Sequence, residues 1–214
     1  MNAVAMFPLG SVLFPYTPVA LRVFEPRYLT MIGRLLDEED PEFGIVLIER
    51  GLEAGGGDQR SPVGTMARIL QIEAGAEDLY VVAVGGERIS VDRWREDDPH
   101  PIAEVSIIPS LVWDDALEPL RREAERVVRR IATLAAILGE GRWDPDAPLS
   151  DDPVESSWQL AAIAPLGEYD RFRLLTSTSL GGLLRAIIDL SLEEEPVLIA
   201  RAADAREQDD GEPH

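Results

Sequence analysis

Side chains able to do covalent or acid–base chemistry are scarce in this sequence. All 20 Lys or Arg positions are arginine, and no cysteine occurs. Without lysine there is no Walker A loop, because the lysine of that loop reaches the nucleotide phosphates. His100 lies in a Pro-His-Pro turn and His214 is the last residue, so neither suits a general base and the two make no metal-ligand spacing. The sequence therefore predicts no catalytic residue, no metal site and no cofactor.

Paired carboxylates are the remaining candidates for chemistry, and they occur at Asp97-Asp98, Asp114-Asp115 and Asp151-Asp152. None has the alternating spacing of a calcium loop, so we interpret them as solvated charge. A hydrolase would need a carboxylate buried in a cleft with a strongly raised pKa. The formal net charge of −20 opposes nucleic-acid binding, which normally shows a basic patch.

The elements that must position any site change type near residue 112. Alternating or compact apolar runs before that point predict six or so short strands, over Phe7–Phe14, Val19–Val23, Gly44–Glu49, Val63–Ala74, Leu79–Val84, Glu87–Trp94 and Ile102–Ile108. Pro15 is expected to end the first strand. Gly85-Gly86 predicts either a tight turn or a bulge. One early helix begins at Pro26 and is expected to bury residues up to Leu36. These features favour a small, closed or partly closed β-barrel.

The later residues have helical periodicity. Apolar residues at spacings of three and four form a seam, Leu117, Leu120, Ala124, Val127, Ile131, Leu134 and Leu138. This seam packs within the chain or pairs two chains. Further helices are predicted from Asp152-Pro153, over Glu168–Leu175, and from about Ser179 with residues up to Leu192 inward. We therefore expect a barrel over 1–112, a helical subdomain over 113–199 and a disordered acidic tail over 200–214.

Three consecutive segments carry a resemblance to a known family: Phe7-Pro8-Leu9-Gly10, Val12-Leu13-Phe14-Pro15 and Val23-Phe24-Glu25-Pro26-Arg27-Tyr28. They closely resemble the opening of the Lon N-terminal family, the substrate-recognition domain in front of the ATP-dependent Lon protease, also found alone in bacteria and inside cereblon. Segments 63–69 and 86–89 are similar too, and the resemblance extends over about residues 4 to 192. It implies an α+β fold, with a PUA-like small β-barrel that has one early helix, followed by a C-terminal helical subdomain.

The resemblance also implies a function without catalysis. Lon proteolysis uses a serine activated by a lysine, which this sequence lacks. The expected role is that of a stand-alone domain that binds exposed apolar peptide segments or a partner protein, with a link to proteolysis or quality control through a separate protease. The alternative is a small-molecule binding module. We expect a monomer or weak dimer in the cytoplasm, with no membrane or nucleic-acid partner.

Candidate binding residues lie where aromatic or proline side chains meet a turn. Phe14, Pro15, Tyr16 and Pro18 predict a stiff, partly apolar surface that is ordered at little entropic cost on binding. Trp143 lies among glycine, charged residues and proline in a predicted loop, and is a candidate anchor. Trp94, Trp113 and Trp158 could also anchor a peptide, although core packing is the more common role for a tryptophan.

Other notable residues have structural interpretations. Glu25 would cap the early helix, Pro26 would be its first residue and Arg27 would form an ion pair beside Tyr28. Arg88, like Arg68, would be an ion-pair partner or a strand-edge charge. The arginines at 121, 122, 126, 129 and 130 could dock an acidic partner, but glutamates at 118 and 125 have the spacing of helix-surface ion pairs and favour a solvated face.

Overall fold

The computed structural model describes residues 2–50 and 59–209. The chain divides into two compact units, Met1–Ser110 and Leu111–His214. Each unit has its own core and is described by itself.

The first unit is a six-stranded sheet with one helix. Its elements are β1 (Asn2–Leu9), β2 (Pro18–Val23), α1 (Pro26–Leu35), β3 (Glu42–Arg50), β4 (Gln59–Ala74), β5 (Leu79–Trp94) and β6 (Ile102–Ile107). The strand order is β2-β5-β4-β3-β1-β6, and β5 also pairs with β6. The pairing of β1 with β3 is parallel, and all other pairings are antiparallel. The pairings therefore run in a circuit β1–β3–β4–β5–β6–β1, with β2 attached to β5.

A bulge in β5 lets one long strand serve two neighbours. Residues 79–84 pair with β2, and residues 89–94 pair with β6. The register with β4 shifts between Thr65 and Ala67, opposite Arg88 and Gly85. Gly85-Gly86 is thus a bulge within a continuous strand, so of the two predicted alternatives the structure has the bulge and not the tight turn.

The first strand ends earlier than predicted. It ends at Leu9, whereas Val12, Leu13 and Phe14 lie in a loop and are still buried. The carbonyl groups of Leu13 and Phe14 accept from side chains, since Thr65 Oγ1 donates to the Leu13 oxygen at 2.7 Å and Thr17 Oγ1 donates to the Phe14 oxygen at 2.8 Å. A buried loop with satisfied backbone groups has the same apolar composition as a strand, which explains the incorrect boundary.

Helix α1 packs one face on the sheet, as the sequence predicts. Tyr28, Met31, Ile32 and Leu35 are buried. Leu36 was expected to be inward, but it is 54% exposed because it lies at the C-terminal cap, where the helix leaves the core.

The second unit is helical. It contains a 3₁₀ turn (Asp115–Leu117) and the helices α2 (Glu118–Ile137), α3 (Pro153–Ile163), α4 (Glu168–Leu175) and α5 (Leu180–Asp209). The seam of α2 packs within this unit against α5 and α3, with Val127, Ile131 and Ala135 around Leu198 of α5. The predicted start of α3 is confirmed, because Asp152 accepts from the N–H groups of Val154 and Glu155 at 2.8 and 2.9 Å.

Helix α5 extends further than predicted. Disorder was expected from residue 200, but residues 200–209 are helical, and 210–214 lie outside the described residues. Alanine and arginine are favourable in helices, and Arg201 forms an ion pair with Glu140 at 2.6 Å. Leu192 was expected to be inward but is 42% exposed.

Across the described part of the chain, none of the helices combines the length and apolar character needed to cross a membrane.

Candidate functional site

An apolar groove lies between β1 and β2 in the first unit. It has a volume of about 380 Å³. Its floor is formed by the buried side chains of Phe7, Leu9, Leu21 and Tyr28. Phe24 lines the groove and is 59% exposed. An exposed aromatic side chain beside a buried apolar floor can cover apolar groups of a bound segment and exclude water from them.

A stack of side chains from the early helix supports this floor. The rings of Phe7 and Tyr28 are stacked with centroids 4.2 Å apart. The Arg27 guanidinium lies over the Tyr28 ring at 4.5 Å, and its Nε donates to Glu25 at 3.1 Å. The expected ion pair is therefore present, and Pro26 is the first residue of the helix. Glu25 occupies the N-cap position, but its side chain makes no cap hydrogen bond, so that part of the prediction was wrong. These motif residues hold Tyr28 in the groove floor.

The proline-rich loop is fastened to the bulge of β5. The Tyr16 N–H donates to the Gly85 oxygen at 2.7 Å, and the Gly85 N–H donates to the Thr17 oxygen at 2.9 Å. Tyr16 has a φ of 59°, a left-handed conformation that is rare for an aromatic residue. Such strain persists only where neighbouring contacts fix it, and it is common at functional positions.

The candidate residues of this loop separate into two groups. Phe14 is fully buried and Pro15 is buried, so the interpretation of these two as exposed anchors was wrong. They are held in the core, with Thr17 Oγ1 bonded to the Phe14 oxygen at 2.8 Å. Tyr16 is 38% exposed and Pro18 is exposed, so both are accessible to a ligand.

The tryptophans have different environments. Trp143 belongs to the second unit, in the segment between α2 and α3, and is partly exposed. Trp158 is 2% exposed and belongs to the core. Trp94 lies under the Arg60 guanidinium at 4.5 Å, and Trp113 donates to Asp115 at 2.9 Å. Trp94, Trp113 and Trp143 are all partly exposed, so burial separates Trp158 from the other three tryptophans.

Arg88 has a structural environment. It is 4% exposed, and its guanidinium donates to the Pro109 oxygen at 3.1 Å. Burial lowers the pKa of Arg88. Its backbone oxygen accepts from Ile108 at 2.8 Å, so this residue fixes the segment that follows β6. Arg68 is exposed, on β4.

The arginine cluster of α2 is a row of ion pairs. Each arginine has a glutamate partner, in the pairs Arg121–Glu118, Arg122–Glu118, Arg126–Glu123, Arg129–Glu125 and Arg130–Glu195. Hydrogen bonds from Arg121 and Arg122 lower the pKa of Glu118 to about 2. The solvated-face interpretation therefore agrees with the geometry of this helix.

This pKa predicts a pH dependence of stability. The pKa of Glu118 falls from 4.5 to about 2 on folding, so the group contributes stability above about pH 4.5. That contribution is lost as the pH falls towards 2. We expect Glu118→Gln to lower the free energy of unfolding at pH 7 and to have little effect near pH 2. Urea denaturation of both proteins across this range measures it. A difference that does not change with pH would contradict the role assigned to this carboxylate.

The carboxylate pairs show no metal centre. Within residues 2–50 and 59–209, no group of three or more histidine, aspartate or glutamate side chains could hold a metal ion.

Family comparison decides the identity of the domain. Residues 3–191 match the family described as the ATP-dependent protease La (LON) substrate-binding domain. The chain belongs to the LON substrate-binding domain family. The sequence-based recognition of the Lon N-terminal family is thereby confirmed.

Relatives of this LON domain include a protease and two solved structures. Lon protease 2 of Sorangium cellulosum (strain So ce56) is 33% identical over 145 residues, which cover 59% of this chain and 17% of the protease. The chain thus spans about a sixth of that relative. The crystal structure of a Lon N-terminal domain protein from Xanthomonas campestris matches with a TM-score of 0.61 and 25% identity, covering 88% of this chain and 98% of that one. The N-terminal domain of a Mycobacterium avium complex Lon protease matches with a TM-score of 0.61 and 16% identity, covering 89% and 98%, and shows the same fold.

Sequence reasoning missed the groove of this LON domain. The signal was Phe24. It is an aromatic residue, and by the two-residue alternation of β2 it falls on the same exposed face as Ala20 and Arg22. An aromatic residue on the outward phase of a strand is unusual for a purely solvated face. The opposing wall from β1 could not be found in this way, because it depends on tertiary structure.

Proposed function

We propose that this LON domain binds exposed apolar segments of unfolded polypeptides, or of a partner protein, and performs no chemistry itself. The observation that carries the proposal is the groove between β1 and β2, with Phe24 exposed beside a buried apolar floor. An affinity on the order of micromolar fits a small transient interface. The family membership supports a substrate-binding role, and a link to a separate protease in the cytoplasm is part of the same proposal.

Two further positions of the first unit extend the proposed binding surface. Tyr16 is held at a strained turn with its side chain accessible, and Pro18, the exposed first residue of β2, follows two residues later. Trp143, on the helical unit, is a separate candidate aromatic contact. Aromatic side chains supply large contact areas at a low conformational cost. The circuit of strand pairings supports a small PUA-like barrel as the rigid scaffold behind the loop.

The groove is tested by a matched pair of variants. Phe24 and Leu70 are both large apolar residues of the first unit, 59% and 56% exposed, but Leu70 does not line the groove. We expect Phe24→Ser to weaken binding of a carboxymethylated, permanently unfolded polypeptide by about tenfold, because an apolar contact is lost. Leu70→Ser should change the affinity less than twofold. Fluorescence anisotropy with the labelled polypeptide measures both.

Equal losses for the two variants would show that binding follows general surface hydrophobicity and would sink the groove assignment. Full affinity in Phe24→Ser would do the same. Saturable binding of a small apolar compound that excludes the polypeptide would favour the small-molecule alternative.

A further inference from the structure

The strand β2 lies at an edge of the sheet and has one side without a strand partner. Its register pairs Pro18 with Val84 at one end and Val23 with Leu79 at the other. Among the strands within residues 2–50 and 59–209, β5 is the one that pairs with β2. The opposite side of β2 therefore presents backbone groups that a further strand could use.

The register indicates which backbone groups lie on that free side. In an antiparallel pair, residues alternate between those that bond to the partner strand and those whose N–H and C=O point away. The Gly85 N–H donates to the Thr17 oxygen at 2.9 Å, in the register that continues the ladder. The odd-numbered residues of β2 therefore bond to β5. Ala20 and Arg22 direct their N–H and C=O groups away from β5. Pro18 directs its C=O group the same way and has no N–H group.

The apolar groove lies along this free side. Its walls include Val19 to Phe24 on one side and Phe7 to Leu9 on the other. Over Met6–Leu9, β1 pairs with β3, whereas its pairing with β6 involves residues 2–5. The groove is thus bounded by β1 and β2. In this region the hydrogen bonds of β1 to β3, and of β2 to β5, lie on the sides of these strands that face away from the groove. It offers backbone hydrogen bonds and apolar surface together.

We propose that this groove takes its polypeptide as an added β-strand, hydrogen-bonded to Ala20 and Arg22, with one alternate set of apolar side chains lying against Phe7 and Leu9 and the opposite face of the strand passing Phe24 at the end of β2. The proposal rests on the proposed function and specifies how the same site recognises its ligand. Backbone bonds accept any sequence and side-chain pockets select alternate positions, as in other cases of strand addition. β2 is about 20 Å long at about 3.3 Å per residue, which fits a segment of about six residues.

Charge selects the occupant among extended segments. The chain has a net charge of −20, so acidic segments are repelled. The one cation on β2, Arg22, is already paired with Asp78 at 2.5 Å and does not attract an acidic ligand. The occupant is therefore an extended apolar segment with neutral or basic flanks, from another polypeptide.

The probe is the capped heptapeptide Arg-Val-Thr-Val-Thr-Val-Arg, together with versions N-methylated on one or the other alternate set of residues. A peptide that pairs with β2 through one edge uses the N–H groups of every second residue, so N-methylation removes hydrogen bonds only when it falls on that set of residues. We expect methylation of that set to weaken binding about tenfold and methylation of the other to change it less than threefold.

Amide hydrogen exchange of the whole protein, followed by NMR, gives the second measurement. Saturation with the peptide, or with the carboxymethylated polypeptide, should slow exchange at Ala20 and Arg22 at least tenfold. Leu21, already bonded to β5, should change little.

Three results would overturn strand addition. The first is binding that depends on Phe24 but leaves the exchange rates of the Ala20 and Arg22 amides unchanged and is weakened equally by both methylation patterns. The groove then binds by side chains alone, and the proposed function stands. If neither probe binds, both proposals fall. If these two amides are already protected in ligand-free protein in a concentration-dependent way, the edge belongs to a second copy of the chain.

Discussion

Gly85→Ala is expected to lower the stability of the first unit by about 2–4 kcal/mol, because the new methyl group collides with backbone. A Cβ at residue 85 would lie 2.1 Å from the Phe14 oxygen. That oxygen accepts from Thr17, and the loop is fixed to Gly85 itself by the Tyr16 N–H, so the backbone has little freedom to withdraw. The collision is therefore relieved only by displacing the loop that carries Tyr16.

Gly86→Ala is the matched control for this prediction. A Cβ at residue 86 meets its nearest atom, the Met66 oxygen, at 3.6 Å, which is an ordinary contact. Replacing glycine by alanine in a strand gains about 0.5–1 kcal/mol, so this variant should match or exceed wild type. Urea denaturation, with hydrogen exchange of residues 11–23 and 79–94, measures both variants. Similar stabilities for the two would mean that the loop does not depend on the close approach at Gly85.

Trp158→Ala should lower the stability of the helical unit by about 3–5 kcal/mol, the usual cost of deleting a buried aromatic side chain and leaving a cavity. Trp158 is 2% exposed and lies on α3. Every residue of this helix from Ser156 to Ile163 is buried, except Gln159. Little backbone adjustment can close such a space.

Trp143→Ala removes the same side chain from a partly exposed position and should cost about 1 kcal/mol or less. Thermal unfolding followed by helical circular dichroism compares the two tryptophan variants. A loss for Trp143→Ala as large as that for Trp158→Ala would make Trp143 a core residue and remove it from the proposed binding surface.

Sequence patterns predicted correctly those elements whose local signals, such as alternation or a helix cap, match the burial that the structure gives them. The strand β2 alternates, α1 begins at Pro26, and Asp152 caps α3, so each was predictable from neighbouring residues. The seam of α2 was also visible, and its packing against α5 settles which of the two predicted partners it uses.

Long-range effects account for the elements that were mispredicted. Val12 to Phe14 have the composition of a strand but are buried in a loop, where Thr65 and Thr17 donate to the carbonyl oxygens of Leu13 and Phe14. For Gly85-Gly86 the sequence left a turn and a bulge open, and only the register of β5 with β4 and the contact of Gly85 with the loop decide for the bulge. Helix α5 continues into a polar segment, residues 200–209, whose Arg201 pairs with Glu140.

The exposure of the candidate site residues was predictable in part. The exposure of Tyr16 and Pro18 follows from the composition of the turn, whereas the burial of Phe14 and Pro15 depends on a loop packed against a distant strand. The groove needs β1 and β2 side by side without pairing to each other, a feature of topology that no local pattern encodes. The motif Glu25 to Tyr28 was recognised from sequence, but its role in supporting the groove floor required the stacking of Phe7 on Tyr28.

Recognition of exposed apolar polypeptide segments by this LON domain, as proposed above, is tested by isothermal titration calorimetry. The ligand is one protein in two forms, native and carboxymethylated to keep it unfolded. We predict a dissociation constant on the order of micromolar and a negative heat-capacity change for the unfolded form, with no measurable binding of the native form. Equal affinity for both forms, or no binding of the unfolded one, would contradict the account.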